Sequence, residues 1–386
     1  MKLPTSPVAA WMHDVRAGFA AMRPSHFPYR RFAFALALGI GGGLLFQRLS
    51  LPLPWMMGPM LFCTLAALLR APAAAPPVIR PPMTMVIGVM LGSAFDPDLV
   101  ARIPQWWPAT LGLIAFIALC GGSVVWYFRA IGGYDRTTAY FAGMPGGLVE
   151  MISIGEERGG DGQVIALVHS VRILLIVMTL PFAIQWLEGV SLNRMAGAVS
   201  MLSTPATAQI WLVACGLAGC FIGHILNLPA KYLLGPMLVS AAVHLAGWSD
   251  FKPPFEIVNA AQLILGVVIG CRFAGTAPRT VGHIILLSLG STAILLFWTA
   301  ACAALVSWLT GFRTMTLILA YSPGGLAEMS LIALAVHAEV AFVAAHHIIR
   351  IFIVMVAAAP VYALIVRLGR HHRSAPASSG AGMPAE

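Results

Sequence analysis

Hydrophobic residues fill long and almost uninterrupted stretches of this chain. The clearest are FAFALALGIGGGLLF (33–47), ATLGLIAFIALCGGSVVWYF (109–128) and ILLSLGSTAILLFWTAACAALVSWL (285–309). A helix of about 20 apolar residues is long enough to cross a lipid bilayer. The pattern therefore predicts an all-α fold, a polytopic helical membrane protein whose main partner is the bilayer.

The chain repeats itself, and internal repeats decide the architecture of a protein. We interpret it as two homologous membrane repeats, 31–187 and 209–368, joined by a linker at 188–208. A cytoplasmic N-terminal segment (1–30) and a disordered cytoplasmic tail (369–386) complete the predicted organisation. Four pairs of motifs carry the repeat at an offset of 177 or 178 residues: LPWMMGPML from 53 and AKYLLGPML from 230, IGVMLGSAF from 87 and LGVVIGCRF from 265, MPGGLVEM from 144 and SPGGLAEM from 322, HSVRI from 169 and HIIRI from 347.

Each repeat divides into about six apolar segments. If all six cross the membrane, the chain has twelve crossings and its two halves share one orientation, which the distribution of Lys and Arg favours. The alternative is ten crossings with inverted halves, as in many transporters. The segments are 33–50, 55–71, 83–103, 108–129, 135–156 and 162–187, then 209–226, 231–248, 256–273, 280–310, 314–336 and 339–367.

The composition agrees with a membrane protein. Of 386 residues, 59% are hydrophobic and only 10% are charged, whereas soluble domains carry about 25% charged residues. The formal net charge is +9, but the basic residues are scattered singly at segment ends. Nucleic-acid binders cluster Lys and Arg on one folded face, so we expect no nucleic acid partner.

Basic residues at both ends of the chain predict its orientation. Positive charge is retained in the cytoplasm, so we expect a multi-pass protein of the bacterial inner membrane with both termini cytoplasmic. The first 30 residues contain no short apolar core followed by a small-residue cleavage site, so we expect no cleavable signal peptide. The stretch 8–22 fits a short interfacial helix, and the Ala/Ser/Gly/Pro-rich end fits a disordered tail.

The six cysteines argue against metal and disulfide chemistry. All of them lie in or beside apolar segments, and none forms a Cys-x-x-Cys pair. Buried cysteines of this kind act as small apolar side chains, and we expect no metal, no cofactor and no disulfide framework.

Each repeat contains a helix-breaking Pro-Gly-Gly sequence followed by a carboxylate. Within a bilayer, a broken helix persists only inside protein or beside a cavity, because its free backbone groups need partners. The half-helix after the break would direct the positive end of its dipole at an anion. The alternative is a kinked packing helix whose Glu binds the freed backbone. The candidate binding residues are Pro145, Gly146, Gly147 and Glu150 in the first repeat, and Pro323, Gly324, Gly325 and Glu328 in the second.

The next segment of each repeat adds a cation and an imidazole. Arg172 and Arg350 follow their glutamates by 22 residues, and an arginine at membrane depth is a candidate functional residue. His169 and His347 precede them by three residues and share their helical face. We predict that Glu, His and Arg surround each broken helix at a binding site. The alternatives are a structural Glu–Arg pair and histidines that only form hydrogen bonds in the core.

The doubled PGGLxEM, the GPML motifs and the HxxR segments resemble the AbrB family of bacterial membrane proteins, of the AbrB duplication type. The resemblance covers roughly 31–368, and it implies the labels ammonia monooxygenase and regulator of gene expression. A second similarity is to the bile-acid symporter and cation/proton antiporter group, whose broken helix also carries Pro-Gly-Gly before an acid. The sequences LVE and LAE stand here where that group has small polar residues, which argues against sodium coupling.

Three functional hypotheses follow. The first is a proton-coupled secondary transporter of a small, anionic solute, in which the glutamates exchange protons and the arginines hold the anion. The second is a membrane sensor that affects gene expression indirectly. The third is a monooxygenase, which needs clustered metal ligands that the sequence does not offer. The substrate, the coupling ion and the oligomeric state, including a homodimer, stay open.

Overall fold

The described secondary structure is entirely helical, which confirms the all-α prediction. The computed structural model describes residues 7–95, 101–189, 199–228, 230–275 and 278–371. Within those ranges there is no β-strand, and seven helices are long and apolar enough to cross a membrane. Residues 372–386 of the predicted tail and residues 190–198 of the predicted linker lie outside the described residues.

The helices of the first half follow the predicted segments closely. A short N-terminal helix occupies the predicted interfacial stretch, and the Pro-Gly-Gly sequence divides the fifth segment into two helices. The helices are α1 (Pro7–Ala21), α2 (Tyr29–Arg48), α3 (Pro54–Leu68), α4 (Arg80–Gly92), α5 (Trp107–Ala130), α6 (Arg136–Gly143), α7 (Leu148–Glu157) and α8 (Gly162–Glu188).

The second half presents the same series of helices, including a divided fifth segment. Its helices are α9 (Ala206–Ile225), α10 (Lys231–Leu245), α11 (Phe255–Gly270), α12 (Pro278–Thr310), α13 (Thr314–Tyr321), α14 (Leu326–Ala335) and α15 (Val340–His371). The boundaries of the two predicted repeats stay a prediction.

Glycine pairs hold the first two apolar segments of each half, α2 with α3 and α9 with α10, in direct backbone contact. A Cβ on Gly58 of α3 would lie 2.5 Å from the carbonyl carbon of Gly42 in α2. In the second half, a Cβ on Gly235 of α10 would lie 2.8 Å from the carbonyl carbon of Gly219 in α9. Small residues let helices approach closely where lipid supplies no hydrophobic driving force. These contacts give both halves a tightly packed outer scaffold.

The fifth segment of the first half turns back on itself. Helix α6 enters the bundle, the chain turns at Met144–Gly147, and α7 returns beside α6. The backbone N–H of Asp161, just after α7, donates to the hydroxyl oxygen of Thr138 at the start of α6, 2.9 Å away. We call α6, α7 and the turn between them hairpin 1, and the turn tip 1. Hairpin 1 starts and ends at the same end of the bundle.

The second half forms a matching hairpin. Helices α13 and α14 (hairpin 2) are joined at Ser322–Gly325 (tip 2). The rings of Phe312 before α13 and Phe342 after α14 lie 5.6 Å apart, so hairpin 2 also starts and ends at one end of the bundle.

The two hairpins enter the bundle from opposite ends. Helices α5 and α12, which precede them, run antiparallel. Gly112 near the start of α5 packs on Val306 near the end of α12, and Gly290 near the start of α12 packs on Tyr127 near the end of α5. The prediction of twelve crossings with both halves in one orientation is therefore wrong, because the fifth segment of each half does not cross. The total number of crossings stays a prediction.

A capping aspartate begins hairpin 1. Asp135 accepts hydrogen bonds from the backbone N–H groups of Thr137 at 2.9 Å and Thr138 at 3.0 Å. Such caps satisfy the free donors of a helix N-terminus. Partial burial acts to raise the pKa of Asp135, but the hydrogen bonds from Thr138 and Thr137 outweigh it and lower that pKa. The entrance to hairpin 1 is thus fixed by a charged cap outside the long apolar helices.

Candidate functional site

Tip 1 is held by two side chains of α8. Because α6 ends at Gly143, its last carbonyl groups have no partner within the helix. His169 Nε2 lies 2.9 Å from the carbonyl oxygen of Phe141, and Arg172 Nη1 donates to the carbonyl oxygen of Met144 at 3.3 Å. The guanidinium also lies at the negative end of the α6 dipole, where a cation is stabilised. The predicted His and Arg therefore do meet the broken helix.

Tip 2 is held by the corresponding residues of α15, with more contacts. His347 Nε2 lies 3.0 Å from the carbonyl oxygen of Leu319. Three carbonyl oxygens accept hydrogen bonds from Arg350: those of Tyr321 at 3.3 Å, Ser322 at 2.7 Å and Gly324 at 3.3 Å. The same device thus serves both halves, but Arg350 binds three carbonyls where Arg172 binds one.

The histidines are neutral and orient the arginines. Arg172 Nη2 lies 2.8 Å from His169 Nδ1, and Arg350 Nη2 lies 3.1 Å from His347 Nδ1. A guanidinium has donors only, so each Nδ1 must be an acceptor. The proton is then on Nε2, which donates to the carbonyl of the hairpin. The sequence left two interpretations of these histidines: members of a binding site, or residues that only form hydrogen bonds in the core. The geometry matches the second interpretation, and each histidine also positions a guanidinium.

The two tips meet inside the bundle. Both border α5: a Cβ on Gly121 would lie 2.9 Å from the sulfur of Met144 in tip 1, and the Tyr321 ring beside tip 2 stacks on Phe116 at 5.9 Å. The two contact points on α5, Gly121 and Phe116, are five residues apart, which corresponds to about 7.5 Å along the helix. Tip 1 also touches α15 at Val354, one turn beyond Arg350.

The meeting point of the tips concentrates positive charge. Arg172 is 3% exposed and Arg350 is 4% exposed, and the two guanidinium groups interact electrostatically with each other and with the thiol of Cys120. In the described part of the chain, neither guanidinium forms an ion pair with a carboxylate. The Nε atoms of both arginines are buried and have no hydrogen-bond partner among the residues that the structure describes. A buried cation without a counter-charge is costly, so this region favours an anion.

The glutamates lie at the tips but do not pair with the arginines. Glu150 and Glu328 occupy the third position of α7 and α14, and their carboxylates fold back over Gly147 and Gly325. A Cβ at either glycine would collide with the carboxylate, which gives each second glycine of the motif a steric reason. The alternative of a structural Glu–Arg pair is wrong. Removal of Arg172 would strand a carbonyl and an imidazole rather than a carboxylate.

The remaining motif residues shape the tips. Pro145 and Pro323 end the incoming helices, and Gly146 packs on Val354. Tip 2 is almost wholly buried, whereas three of the four residues of tip 1 are only partly buried. Glu328 is 7% exposed and interacts electrostatically with Arg272 at the end of α11.

Two members of this site escaped the sequence analysis. Cys120 lies in a uniform apolar run that gives no signal. Arg272 lies in LGVVIGCRF, which aligns with IGVMLGSAF of the first half, where Ala94 takes its place. That difference between the two copies was the only sign of Arg272 in the sequence. Among the described residues, no three His, Cys, Asp or Glu side chains lie close enough together to hold a metal ion.

Comparisons with known proteins agree with the motifs at the tips. The family model AbrB, described as "Transition state regulatory protein AbrB", matches residues 55–366. The chain is 28% identical over 362 residues to "Uncharacterized protein YhjN" of Bacillus subtilis (strain 168), an alignment that covers 86% of this chain and 92% of that protein. It is 22% identical over 328 residues to "Putative regulator AbrB" of Escherichia coli (strain K12), with 83% of this chain and 91% of that protein covered. Because the family model spans most of its length, both tips included, this chain belongs to the AbrB family.

Proposed function

We propose that this AbrB-family protein is a secondary transporter of a small anion. The observation that carries the proposal is the pair of buried guanidinium groups at the meeting point of two oppositely entering hairpins. Intramembrane cations without a carboxylate partner mark substrate pathways. Transporters with inverted halves place their substrate between discontinuous helices, whose N-termini face the anion.

The opposite entry of the hairpins supports transport rather than simple binding. Each hairpin separates the central charges from one end of the bundle, so movement of one hairpin opens the site to one side only. Such alternating exposure is how repeated halves move a solute across a membrane. The two tips would act as two gates around one anion.

The glutamates support coupling to protons. Glu150 and Glu328 lie in the first turns of α7 and α14, beside the tips, and form no ion pair with the arginines of their own halves. A tip glutamate that takes up and releases a proton would change the charge beside the anion site during each cycle.

Reconstitution tests the proposal directly. Purified protein in liposomes is challenged with a panel of small anions, with amines and with pH jumps, while charge movement is recorded. We expect charge movement with one or more anions, its loss in Arg350→Gln, and no change in Arg48→Gln, which removes an exposed arginine at the end of α2. Charge movement with amines alone, or full activity in Arg350→Gln, would reject the proposal.

A second candidate is a membrane regulator that affects gene expression indirectly. The observation in its favour is that the family model and the Escherichia coli relative are both named as regulators. If the liposome assay detects no solute movement, anion binding at the same tips would be the signal that such a regulator senses.

A further inference from the structure

A cleft on the surface of the bundle leads to tip 1. It lies between α5, hairpin 1 and α15, and its volume is about 530 Å³. Sites for small organic molecules usually measure about 300–1,000 Å³. The cleft is lined by Gly122, Val125, Trp126, Arg129, Ala130, Tyr140, Met144 and Ile365.

The two ends of the cleft differ in chemistry. Its outer end carries the exposed guanidinium of Arg129, in the last turn of α5. Its walls are Val125, Ile365 and the ring of Trp126, and Gly122 leaves room where other residues would place a side chain. Arg129 and Gly122 are two helical turns apart, about 10 Å along α5. An elongated molecule with an apolar body fits these walls.

The inner end of the cleft is part of the proposed anion site. Met144 lines the cleft, and its carbonyl oxygen accepts the hydrogen bond from Arg172. Tip 1 is also the exposed tip: Val149 next to it is 70% exposed, whereas Ala327 at the same position beside tip 2 is 9% exposed. A molecule in the cleft therefore reaches the less buried of the two hairpins.

A neighbouring cleft is larger but lacks the features of an anion site, so volume alone does not identify the candidate site. The second cleft, about 690 Å³, lies on the other side of Trp126, between α5 and α12. It touches neither tip and has no charged residue, and its one hydroxyl, on Ser123, already accepts a hydrogen bond from Trp298. That surface suits lipid chains and offers nothing to an anion.

We infer that the substrate is an organic carboxylate with an apolar body, and that it reaches the site laterally through the cleft lined by Trp126, Arg129 and Met144. The inference rests on the proposed function and names its substrate class. Arg129 attracts the carboxylate at the rim, the walls hold the apolar body, and the carboxylate then passes to the arginines behind tip 1. A small hydrophilic anion such as sulfate would gain nothing from these walls.

The test is thermal stabilisation of the full-length protein by a ligand series. The series contains acetate, butyrate, octanoate, benzoate and sulfate, each titrated in detergent and in nanodiscs. We expect affinity to rise with apolar size, by about fourfold for each buried CH₂, and octanoate or benzoate to bind best. Equal stabilisation by sulfate and octanoate would overturn the inference and leave anion transport standing. Stabilisation by none of these anions would count against the proposed function itself.

Matched variants locate the binding. Ile365→Trp narrows the cleft that leads to tip 1, and Ala293→Trp narrows only the neighbouring cleft; both positions are exposed, so both variants should fold. We expect Ile365→Trp to weaken octanoate binding by about tenfold, equivalent to 1.4 kcal/mol, and Ala293→Trp to leave it unchanged. Arg129→Gln should weaken binding, with Arg48→Gln as its control. The reverse ranking of the two Trp variants would refute the lateral route.

Phospholipid is the other anionic molecule with an apolar body that could occupy the cleft. Nanodiscs of neutral lipid and nanodiscs that contain phosphatidylglycerol distinguish the two. If octanoate binds equally well in both and Ile365→Trp abolishes the effect, the cleft is a substrate route. If phosphatidylglycerol displaces octanoate completely and flux of every carboxylate persists in Ile365→Trp, the cleft is a lipid site and the inference is wrong.

Discussion

Hairpins 1 and 2 contain nearly the same sequence at their tips but occupy different surroundings. Tip 2 is sealed: Ser322, Pro323 and Gly324 are all buried, and Glu328 is 7% exposed. Tip 1 is only partly buried and borders an open cleft. Helix α7 packs against α8 and α15, and α14 makes the equivalent contacts with α15 and α8 but packs against α4 as well. One motif therefore produces a buried tip in one half and a partly exposed tip in the other.

The difference extends to the polar contacts. Arg350 binds three tip carbonyls and Arg172 binds one. Glu328 has Arg272 nearby, and the first half has Ala94 at the corresponding position. For the transporter proposed above, this structure would be a state in which tip 2 is closed.

The largest expected effect comes from the tip arginines. Arg350→Gln should lower the free energy of unfolding more than Arg172→Gln, because it leaves more buried carbonyls without a partner, at about 1–3 kcal/mol for each group. Thermal unfolding in detergent, with Arg350→Lys and Arg172→Lys as charge-preserving controls, measures the difference. Equal losses of unfolding free energy in the two Gln variants would mean that the extra carbonyl contacts of Arg350 do not add to stability.

Substitution of the tip glutamates should also have the larger effect in the second half. Both Glu→Gln variants should reduce flux, and Glu328→Gln should reduce it about tenfold more than Glu150→Gln, a difference of about 1.4 kcal/mol in the barrier. Glu328 is buried near a cation, so its charge is weakly screened. Flux in liposomes at matched protein insertion is the measurement. If each Glu only caps its helix, both Gln variants will transport normally.

Exchanging the residue before the proline tests the packing of the two tips. Ser322→Met should overpack the sealed tip and lower stability by about 1–3 kcal/mol. Met144→Ser should cost less, because Met144 lies at the edge of the cleft and has space around it. Unfolding midpoints of the two single variants and of the double exchange provide the comparison. A larger loss in Met144→Ser would show that tip 1 is the tightly packed one.

The smallest effect concerns helix α1, which docks on the second half. Partial burial acts to raise the pKa of Asp14, but hydrogen bonds from His224 and Lys231, both 3.0 Å away, outweigh it and lower that pKa. Docking should thus hold at neutral pH and weaken as pH falls through the folded-state pKa, below about 4.

The contribution of this exposed carboxylate should stay below about 1 kcal/mol. Fluorescence of Trp11, whose ring lies 5.4 Å from that of Phe221, reports docking. Asp14→Asn should remove the acid-dependent change in fluorescence and move the value at pH 7 only slightly toward that of the undocked helix. A change that persists in Asp14→Asn would assign it to another group.

The sequence by itself determined which segments become helices and where two of them break. Apolar runs must be helical in a bilayer because their backbone groups can find partners only within the helix, and Pro145 and Pro323 end a helix because proline lacks an N–H donor. The spacing of His169 and Arg172 by three residues placed both on one face of α8. These are local effects, so the motifs alone predicted them, and the AbrB resemblance followed from the same residues.

Only the tertiary structure decided what those elements do to one another. A broken helix of 18 residues can continue across the membrane or turn back, and the local sequence permits both. The return of α7 beside α6 depends on long-range contacts, such as that of Gly146 with Val354. Likewise, Glu150 and Arg172 have opposite charges at a suitable spacing, yet the guanidinium binds carbonyls because the end of α6 lies closer to it. Charge predicts attraction, but the fold decides which partners are within reach.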